Sequence, residues 1–506
     1  MNARARVWRG RRAVAAGAAA TVLAVAGPLT VPTAAADPGP AAGRQDRHRS
    51  GDGADGARRD GAGDDRTDKK NDAGPGQGTA RRPRSAPVKG PVLAAVADAA
   101  GVPTGEGIQR SLGAAVHDGA LGTLNWAVAD AATGRLLLGS GENTPATPAS
   151  TTKLATSVAA LSLIPPTTRI STTVVRGSTP GSITLVGGGD PTLTVLPADQ
   201  IRVGGQPVDA DTAPASLADL AARTAAALKA AGTTTVRLGY DTSLYTGPLL
   251  HPEHDAMNIA AVTPLMVDEG RVDPKSPDEA PARVYDPAGQ AAAAFADRLR
   301  AEGVTVDGTP AQTTAPAGAA VLATVRSPTV PRLVERLLTT SDNTLAEAVA
   351  RQVAIAAHRP ASFEGASAAT LQALTALGVP TAGVALADGS GLSKTNLIPP
   401  ITLTELLARA AAPDHPELRP VLTGLPVAGF TGTLVNRYGA RSGAAEAAGI
   451  VRAKTGTLSG VVTLAGTVVD ADGRVLVFAL MSRSGAGDAR AAVDRIVARI
   501  AACGCR

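Results

Sequence analysis

Three short groups of residues have the types and the order that acyl transfer requires: Ser150-Thr151-Thr152-Lys153, then Ser341-Asp342-Asn343, then Lys454-Thr455-Gly456. A serine hydroxyl is a weak nucleophile at neutral pH and needs a base. Lys153 can serve only as the neutral amine, a form that burial and a second nearby cation favour by lowering the ammonium pKa. Lys454 is the candidate second cation. Ser150 then attacks an amide or lactam carbonyl, without a histidine or a metal. The developing oxyanion needs two N–H donors, and the backbone amides of Ser150 and Thr457 are the natural pair. Ser341 can relay a proton to the departing nitrogen, and Asn343 can hold a peptide amide of the substrate. Lys454, with the hydroxyls of Thr455 and Thr457 on either side of Gly456, suits a terminal carboxylate. The substrate is therefore expected to be cut next to its C-terminus.

Each group alone is ordinary: a helical turn, a helix cap, a strand end before a turn. Their joint presence carries the reading only if the right elements hold them. Pro148-Ala149-Ser150 opens a predicted helix that runs through Leu154, Val158 and Leu161 to Pro165-Pro166. Lys153, one turn on, then shares the face of Ser150. A helix over 330–338 is expected to end at Ser341-Asp342-Asn343, with the next helix opening on Thr344-Leu345-Ala346-Glu347, a capping-box pattern. Ser341 and Asn343 fall in the loop between. The segment 450–457 reads as a strand carrying Lys454, followed by a hairpin of 461–469 and 475–481 and an amphipathic helix from Asp488 to about residue 502. Near the start, a helix is expected over 92–114 and a hairpin over 123–139. The fold class is α+β, an antiparallel sheet flanked by helices, with a large inserted domain rich in β-structure between Lys153 and Ser341. The domains are expected at 91–169 (first part), 170–325 (insertion, with a division near Arg271) and 326–506 (second part).

Composition sets the remaining bounds. The chain has 506 residues, more than one compact core usually holds. Its 49 Lys+Arg against 44 Asp+Glu give only +5, which offers no case for nucleic acid, and 2% aromatics exclude the base-stacking platforms of single-strand binders. Arg4, Arg6, Arg9, Arg11 and Arg12, an apolar run over 13–31 and Ala34-Ala35-Ala36 read as a signal peptide over 1–36, cleaved after Ala36. The alternative, an uncleaved membrane anchor, has to tolerate Gly27, Pro28 and Pro32. Residues 37–90 have no apolar period and read as a disordered tether. Cys503 and Cys505 leave free thiols, a labile disulfide or an intermolecular link open, but no disulfide framework. His251-Pro252-Glu253-His254 lacks the helical spacing of a metal site, so neither a metal nor any other cofactor is expected.

Beyond the three groups, the chain contains Gly187-Gly188-Gly189-Asp190-Pro191-Thr192-Leu193, Asp241-Thr242-Ser243-Leu244-Tyr245, Ala387-Asp388-Gly389-Ser390-Gly391-Leu392-Ser393 and Gly429-Phe430-Thr431-Gly432-Thr433-Leu434. With these segments and its long insertion it resembles the class C low-molecular-mass penicillin-binding proteins, D-alanyl-D-alanine carboxypeptidase/endopeptidases of peptidase family S13. The resemblance implies a penicillin-binding transpeptidase/β-lactamase-like domain, hydrolysis of the D-Ala-D-Ala bond of peptidoglycan stem peptides, acylation by β-lactams, and a secreted, cell-wall-associated protein. It also implies that Asp241 and Tyr245 meet the side chain at the third position of the stem; on the residues alone, Asp241 is equally a turn residue and Tyr245 packing. Where some relatives carry a basic residue, around Phe363-Glu364-Gly365, this chain has an acid. A serine β-lactamase and a non-catalytic wall-binding scaffold are the rival readings. The first predicts rapid turnover of penicillin, the second no release of D-alanine.

Overall fold

The computed structural model describes residues 101–506 except 204, 205, 277, 279 and 486. The segments expected to be a signal peptide and a tether, and the start of the expected 92–114 helix, lie outside the described residues. The helix α1 spans Gly105–Leu112, with the Thr104 side chain accepting from Gly107 N, and residues 101–104 before it are not helical.

The strands β1 (Thr123–Asp130) and β2 (Leu136–Ser140) form the early hairpin. The late strands are β11 (Arg452–Leu458), β12 (Val461–Val469) and β13 (Val475–Arg483). Together they make one five-stranded antiparallel sheet in the order β11-β12-β13-β1-β2. Residues far apart in sequence are thus joined in β1 and β13, where Ala127 pairs with Ala479. Strand periodicity explains the two cores. Val477, Ala479 and Met481 of β13 point to one face, where they pack on Leu154 and Val158. Leu476, Phe478 and Leu480 point to the other and meet Ile108, Val493 and Ile496. A strand buried on both faces reads as an unbroken apolar run, as 475–481 does.

Helix α2 (Thr152–Leu163) is buried on every side from Thr152 to Leu161 and ends before Pro165, where Ile164 is extended. Around it lie α5 (Val330–Thr340), α6 (Asn343–Ala356), α7 (Phe363–Ala376), α8 (Pro400–Ala411) and the short α9 (Arg419–Thr423). On the opposite face α10 (Ala489–Ala501) packs with α1. Its C-terminal extension brings Cys503 and Cys505 together in a disulfide, and Cys505 O accepts from Thr104 N at 2.8 Å.

Between α2 and α5 the chain builds a second, mixed sheet. It holds β3 (Arg169–Arg176), β4 (Ser182–Val186), β7 (Thr235–Asp241), β8 (Thr305–Val306), β9 (Ala311–Gln312) and β10 (Val321–Thr329). The order is β10-β3-β4-β7-β8, with β9 also on β7, and β7 runs parallel to β4, β8 and β9. Parallel neighbours need crossovers, which α3 (Leu217–Ala230) and α4 (Pro287–Ala301) supply, and Leu220, Leu228, Phe295 and Leu299 fill the core beneath. A two-residue pair, β5 (Arg202–Val203) with β6 (Gln206–Pro207), stands apart. Among the described residues no helix is long and apolar enough to cross a membrane.

Candidate active site

Ser150 sits in a single 3-10 turn, Ala149–Thr151, that feeds α2. Ala149, just before it, is held at φ 48°, a left-handed conformation that costs an L-residue roughly 1–2 kcal/mol. The loop of residues 388–391 closes over this turn. A Cβ on Gly391 would lie 1.9 Å from Ala149 O, so only glycine lets the loop pass. Thr151 Oγ1 and Thr152 Oγ1 donate to Pro148 O and Ala149 O at 2.6 and 2.9 Å, tying the hydroxyls of the turn to its own backbone. Ser150 is thereby the partly exposed member of a rigid turn.

Lys153 is fully buried. Its Nζ lies 2.9 Å from Ser150 Oγ and donates to Asn343 Oδ1 at 2.7 Å and Ser390 O at 2.6 Å. The two carbonyl oxygens can only accept. A neutral amine satisfies both with its two N–H groups and turns its lone pair on the third neighbour, the Ser150 hydroxyl. The geometry therefore suits proton removal from Ser150.

Ser341 ends α5 in the left-handed region, φ 61°. Asp342 is the N-cap of α6, accepting from Leu345 N at 3.0 Å, so the helix starts at Asn343 and not on the Thr344 capping box that the pattern suggests. Thr344 Oγ1 instead accepts from Ala260 N. Two guanidinium groups from the second-sheet segment reach Asp342 Oδ2: Arg271 at 3.0 Å and Arg283 at 2.9 Å. Burial pushes the Asp342 carboxyl up, but Arg283 and Arg271 outweigh it and hold the group well below the usual carboxylate range. Asn343 Nδ2 donates to Asn258 O at 3.0 Å, which orients its Oδ1 toward Lys153.

Lys454, also fully buried, donates to Ser341 Oγ at 2.8 Å and to Thr455 O at 2.8 Å. Two serine–lysine pairs, Ser150 with Lys153 and Ser341 with Lys454, are thus anchored at the same α5–α6 junction, the first through Asn343 and the second through Ser341. Gly456 lets β11 run against the nucleophile turn, since a Cβ there would lie 3.0 Å from Ser150 N and 2.1 Å from Thr463 Oγ1. Thr455 Oγ1 shares a hydrogen bond with Thr433 Oγ1 at 2.8 Å, and Arg490 Nη2 reaches Thr457 Oγ1 at 3.5 Å. β11 is the edge of its sheet. Residues 426–428 cover only its start, where Val427 bridges Arg452 and Ala453 N donates to Pro426 O at 3.0 Å.

Beneath Lys153 lies a group that motif reading takes for the end of a capping box and not for part of the site. Glu347, one turn along α6 from Asn343, accepts from Gly389 N at 3.0 and 3.1 Å and from Ser390 N at 2.8 Å. It therefore carries the loop whose Ser390 carbonyl meets Lys153. Burial raises the Glu347 carboxyl, and Asp388 adds to the rise. Asp388 accepts from Gly391 N, Ser393 N and Asn396 Nδ2, and bonds His254 Nε2 at 2.8 Å. His254, Glu347 and Asp388 stand within metal-ligand distance of one another, but the two carboxylates are engaged by these donors. The signal for Glu347 was its spacing of four from Asn343, one face of one helix.

Asp241 and Tyr245 have local partners. Asp241 accepts from Ser243 N and Ala315 N, both at 2.7 Å, which fixes the turn after β7. Tyr245 is buried, its hydroxyl pushed up to about 12 by desolvation, and the Arg351 guanidinium lies 5.9 Å from its ring. Glu364 is exposed at the start of α7, beside Phe363, whose ring carries Arg351 at 4.1 Å.

The description "D-Ala-D-Ala carboxypeptidase 3 (S13) family" belongs to a family model that matches residues 108–281 and 273–503. The chain belongs to this family. The S13 peptidase is 37% identical over 411 residues to carboxypeptidase DacB of Mycolicibacterium smegmatis, covering 80% of this chain and 85% of that one. To a carboxypeptidase of Mycobacterium tuberculosis it is 36% identical over 436 residues, 84% of this chain and 89% of the relative. Its fold is that of penicillin binding protein 4 (dacB) from Haemophilus influenzae, with TM-score 0.60 at 22% identity over 78% of this chain and 98% of that structure. As an S13 member it is a serine-type D,D-peptidase.

Proposed function

We propose that the chain hydrolyses the D-Ala-D-Ala bond of peptidoglycan stem peptides through an ester on Ser150, and that β-lactams acylate the same hydroxyl. The observation that supports this most directly is Lys153 Nζ set 2.9 Å from Ser150 Oγ with two carbonyl acceptors behind it. The neutral amine takes the Ser150 proton as Oγ attacks the penultimate carbonyl. The Ser150 and Thr457 amides receive the oxyanion, each such donor being worth roughly 10²–10³ in rate. Ser341, held by Lys454, passes a proton to the departing D-alanine nitrogen, while Lys454, Thr455 and Thr457 hold its carboxylate. Asn343 holds a substrate amide, and water then cleaves the ester. Asp241 and Tyr245 are assigned, by the family resemblance, to the side chain at the third position of the stem.

The test is incubation with a diacyl-D-Ala-D-Ala peptide and with labelled penicillin. Released D-alanine and a long-lived penicilloyl adduct on Ser150 are expected. Rapid release of penicilloate with no D-alanine would indicate a β-lactamase instead, and neither product a scaffold.

We infer that the protein works outside the membrane at the cell wall, after removal of residues 1–36. The basic start, the apolar run over 13–31 and Ala34-Ala35-Ala36 support this. Mass spectrometry of the secreted protein should find Asp37 as its first residue; a retained Met1 in a membrane fraction would favour an anchor.

A further inference from the structure

His251-Pro252-Glu253-His254, which lacks the spacing of a metal site, belongs to a closed segment of the insertion that reaches Lys153 by two routes. Val262 N donates to Leu249 O at 2.7 Å and ties the ends of the segment together. Ile259 and Val262 anchor it by packing with Tyr245, Ala361 and Phe363. Its turns then make two contacts with the site. In the first, the Asp255 carboxylate accepts from Met257 N and Asn258 N at 3.0 and 2.9 Å, a turn that presents Asn258 O to Asn343 Nδ2 at 3.0 Å. In the second, His254 Nε2 meets Asp388 Oδ2 at 2.8 Å, while the Glu253 carboxylate accepts from Ser393 Oγ at 2.7 Å and Lys394 N at 2.8 Å.

Both contacts converge on one amine. Asn343 Oδ1 and Ser390 O are the two carbonyl oxygens that Lys153 Nζ meets. The segment holds Asn343 directly, and it holds Ser390 through the loop, gripping it at Asp388, Ser393 and Lys394 on either side in sequence. A neutral amine is close to tetrahedral, so fixing two N–H directions fixes the lone pair. A misplacement of about 1 Å at a reacting group can cost roughly 10²-fold in rate.

The chemistry of His254 fits positioning better than packing. Its side chain is fully buried, edge-on to Phe363 with ring centres 5.5 Å apart, and Nδ1 has no hydrogen-bond partner among the described residues. An apolar side chain would fill the place without stranding a nitrogen. The bond from Nε2 to Asp388 is what an imidazole adds. Burial pushes the Asp388 carboxyl up, but His254 and the N–H groups of Ser393 and Asn396 outweigh it and keep the group below its usual value. An ionised carboxylate only accepts, so His254 Nε2 carries the proton.

We propose that the segment 253–258 aims the Lys153 lone pair at Ser150, with His254 as a positioning residue that acts through Asp388 and Ser390 O. The proposal rests on the D,D-peptidase reading and deepens it: the insertion sets the direction of the base, which the helices bearing the reacting groups do not fix alone.

The experiment uses the full chain, labelled penicillin and a diacyl-D-Ala-D-Ala peptide. His254→Leu removes the donor but keeps an apolar side chain in the pocket, and His254→Gln returns an N–H donor. In His254→Leu, the acylation rate per penicillin-titratable site and kcat for D-alanine release should fall about tenfold, with KM and the number of titratable sites unchanged. His254→Gln should recover most of that loss. Asp255→Ala, at an exposed position, loosens the Asn258 contact while leaving the buried pair intact, and should slow acylation about threefold. Unchanged rates in His254→Leu, a loss seen only as fewer titratable sites, or a glutamine variant as slow as the leucine one overturns the positioning role and leaves the peptidase reading standing. Should His254→Leu fail to fold, Asp255→Ala decides, and wild-type rates there overturn the proposal. If the wild type neither releases D-alanine nor takes penicillin, the peptidase reading itself fails, and the positioning role with it.

Discussion

The two sheets contribute to the site in different ways. The five-stranded sheet and its helices supply the groups that meet the reacting atoms, and join them by short hydrogen bonds among buried side chains: Lys153 to Ser150, Asn343 and Ser390, and Lys454 to Ser341. The mixed sheet and its connections supply brackets: Arg271 and Arg283 on Asp342, Glu269 on Arg336, and Asn258 O on Asn343. Chemistry is thus concentrated where the chain returns to one sheet. The insertion holds the α5–α6 junction from outside by charge. The difference implies that reaction and framing can be damaged separately.

The sharpest way to test that division is on the reaction side. Ser150→Ala should abolish penicillin labelling and cut D-alanine release by about 10⁴ or more, with thermal stability unchanged. Lys153→Ala should be nearly as severe. On the framing side, Arg283→Ala leaves Asp342 with one of its two bound guanidinium partners and should cost about 3 kcal/mol in urea unfolding. An activity loss there without a stability loss would erase the distinction between the two regions.

Glu347→Gln lies between the two, because it touches only the loop under Lys153. Replacing the charged acceptor of Gly389 N and Ser390 N should slow acylation about tenfold, with the Ser150 adduct still forming. The smallest effect belongs to Asp190. Burial raises its carboxyl to about 6, against the pull of the Thr192 hydrogen bonds, and Oδ2 has no partner. A carboxyl whose folded pKa is raised contributes its stability below the unfolded value near 3.8 and loses it as pH climbs through about 6. The shift corresponds to about 3 kcal/mol, of which an unpaired amide in Asp190→Asn would forfeit about 2. The variant should therefore be about 1 kcal/mol more stable than wild type at pH 8 and less stable at pH 4; a constant difference across that range would exclude the assignment.

Much of the reactive sheet was legible because its signals are local. Ser150 and Lys153 share a helical turn, and the unbroken apolar run of 475–481 marks a strand buried on both faces. What escaped reading depends on contacts between distant residues. His254 meets Asp388 across 134 positions, and Arg271 and Arg283 reach Asp342 across 71 and 59. Glu347 was misread for the same reason: its spacing from Thr344 fits a capping box, but the carboxylate is used by a loop more than forty residues on. Cys503 and Cys505 lie two positions apart, and what their spacing does not announce is the docking of the C-terminus on the start of α1, where Thr104 N meets Cys505 O.

The partial cover on β11 has a colloidal meaning as well as a catalytic one. An open sheet edge invites pairing with another copy of the chain, and long flat edges aggregate. Here the segment 426–428 occupies the start of the edge, so the length beside Thr455 and Thr457 can accept the end of a peptide but offers too short a ladder for a second sheet. A short open length of this kind is a poorer template for edge-to-edge pairing than a full strand.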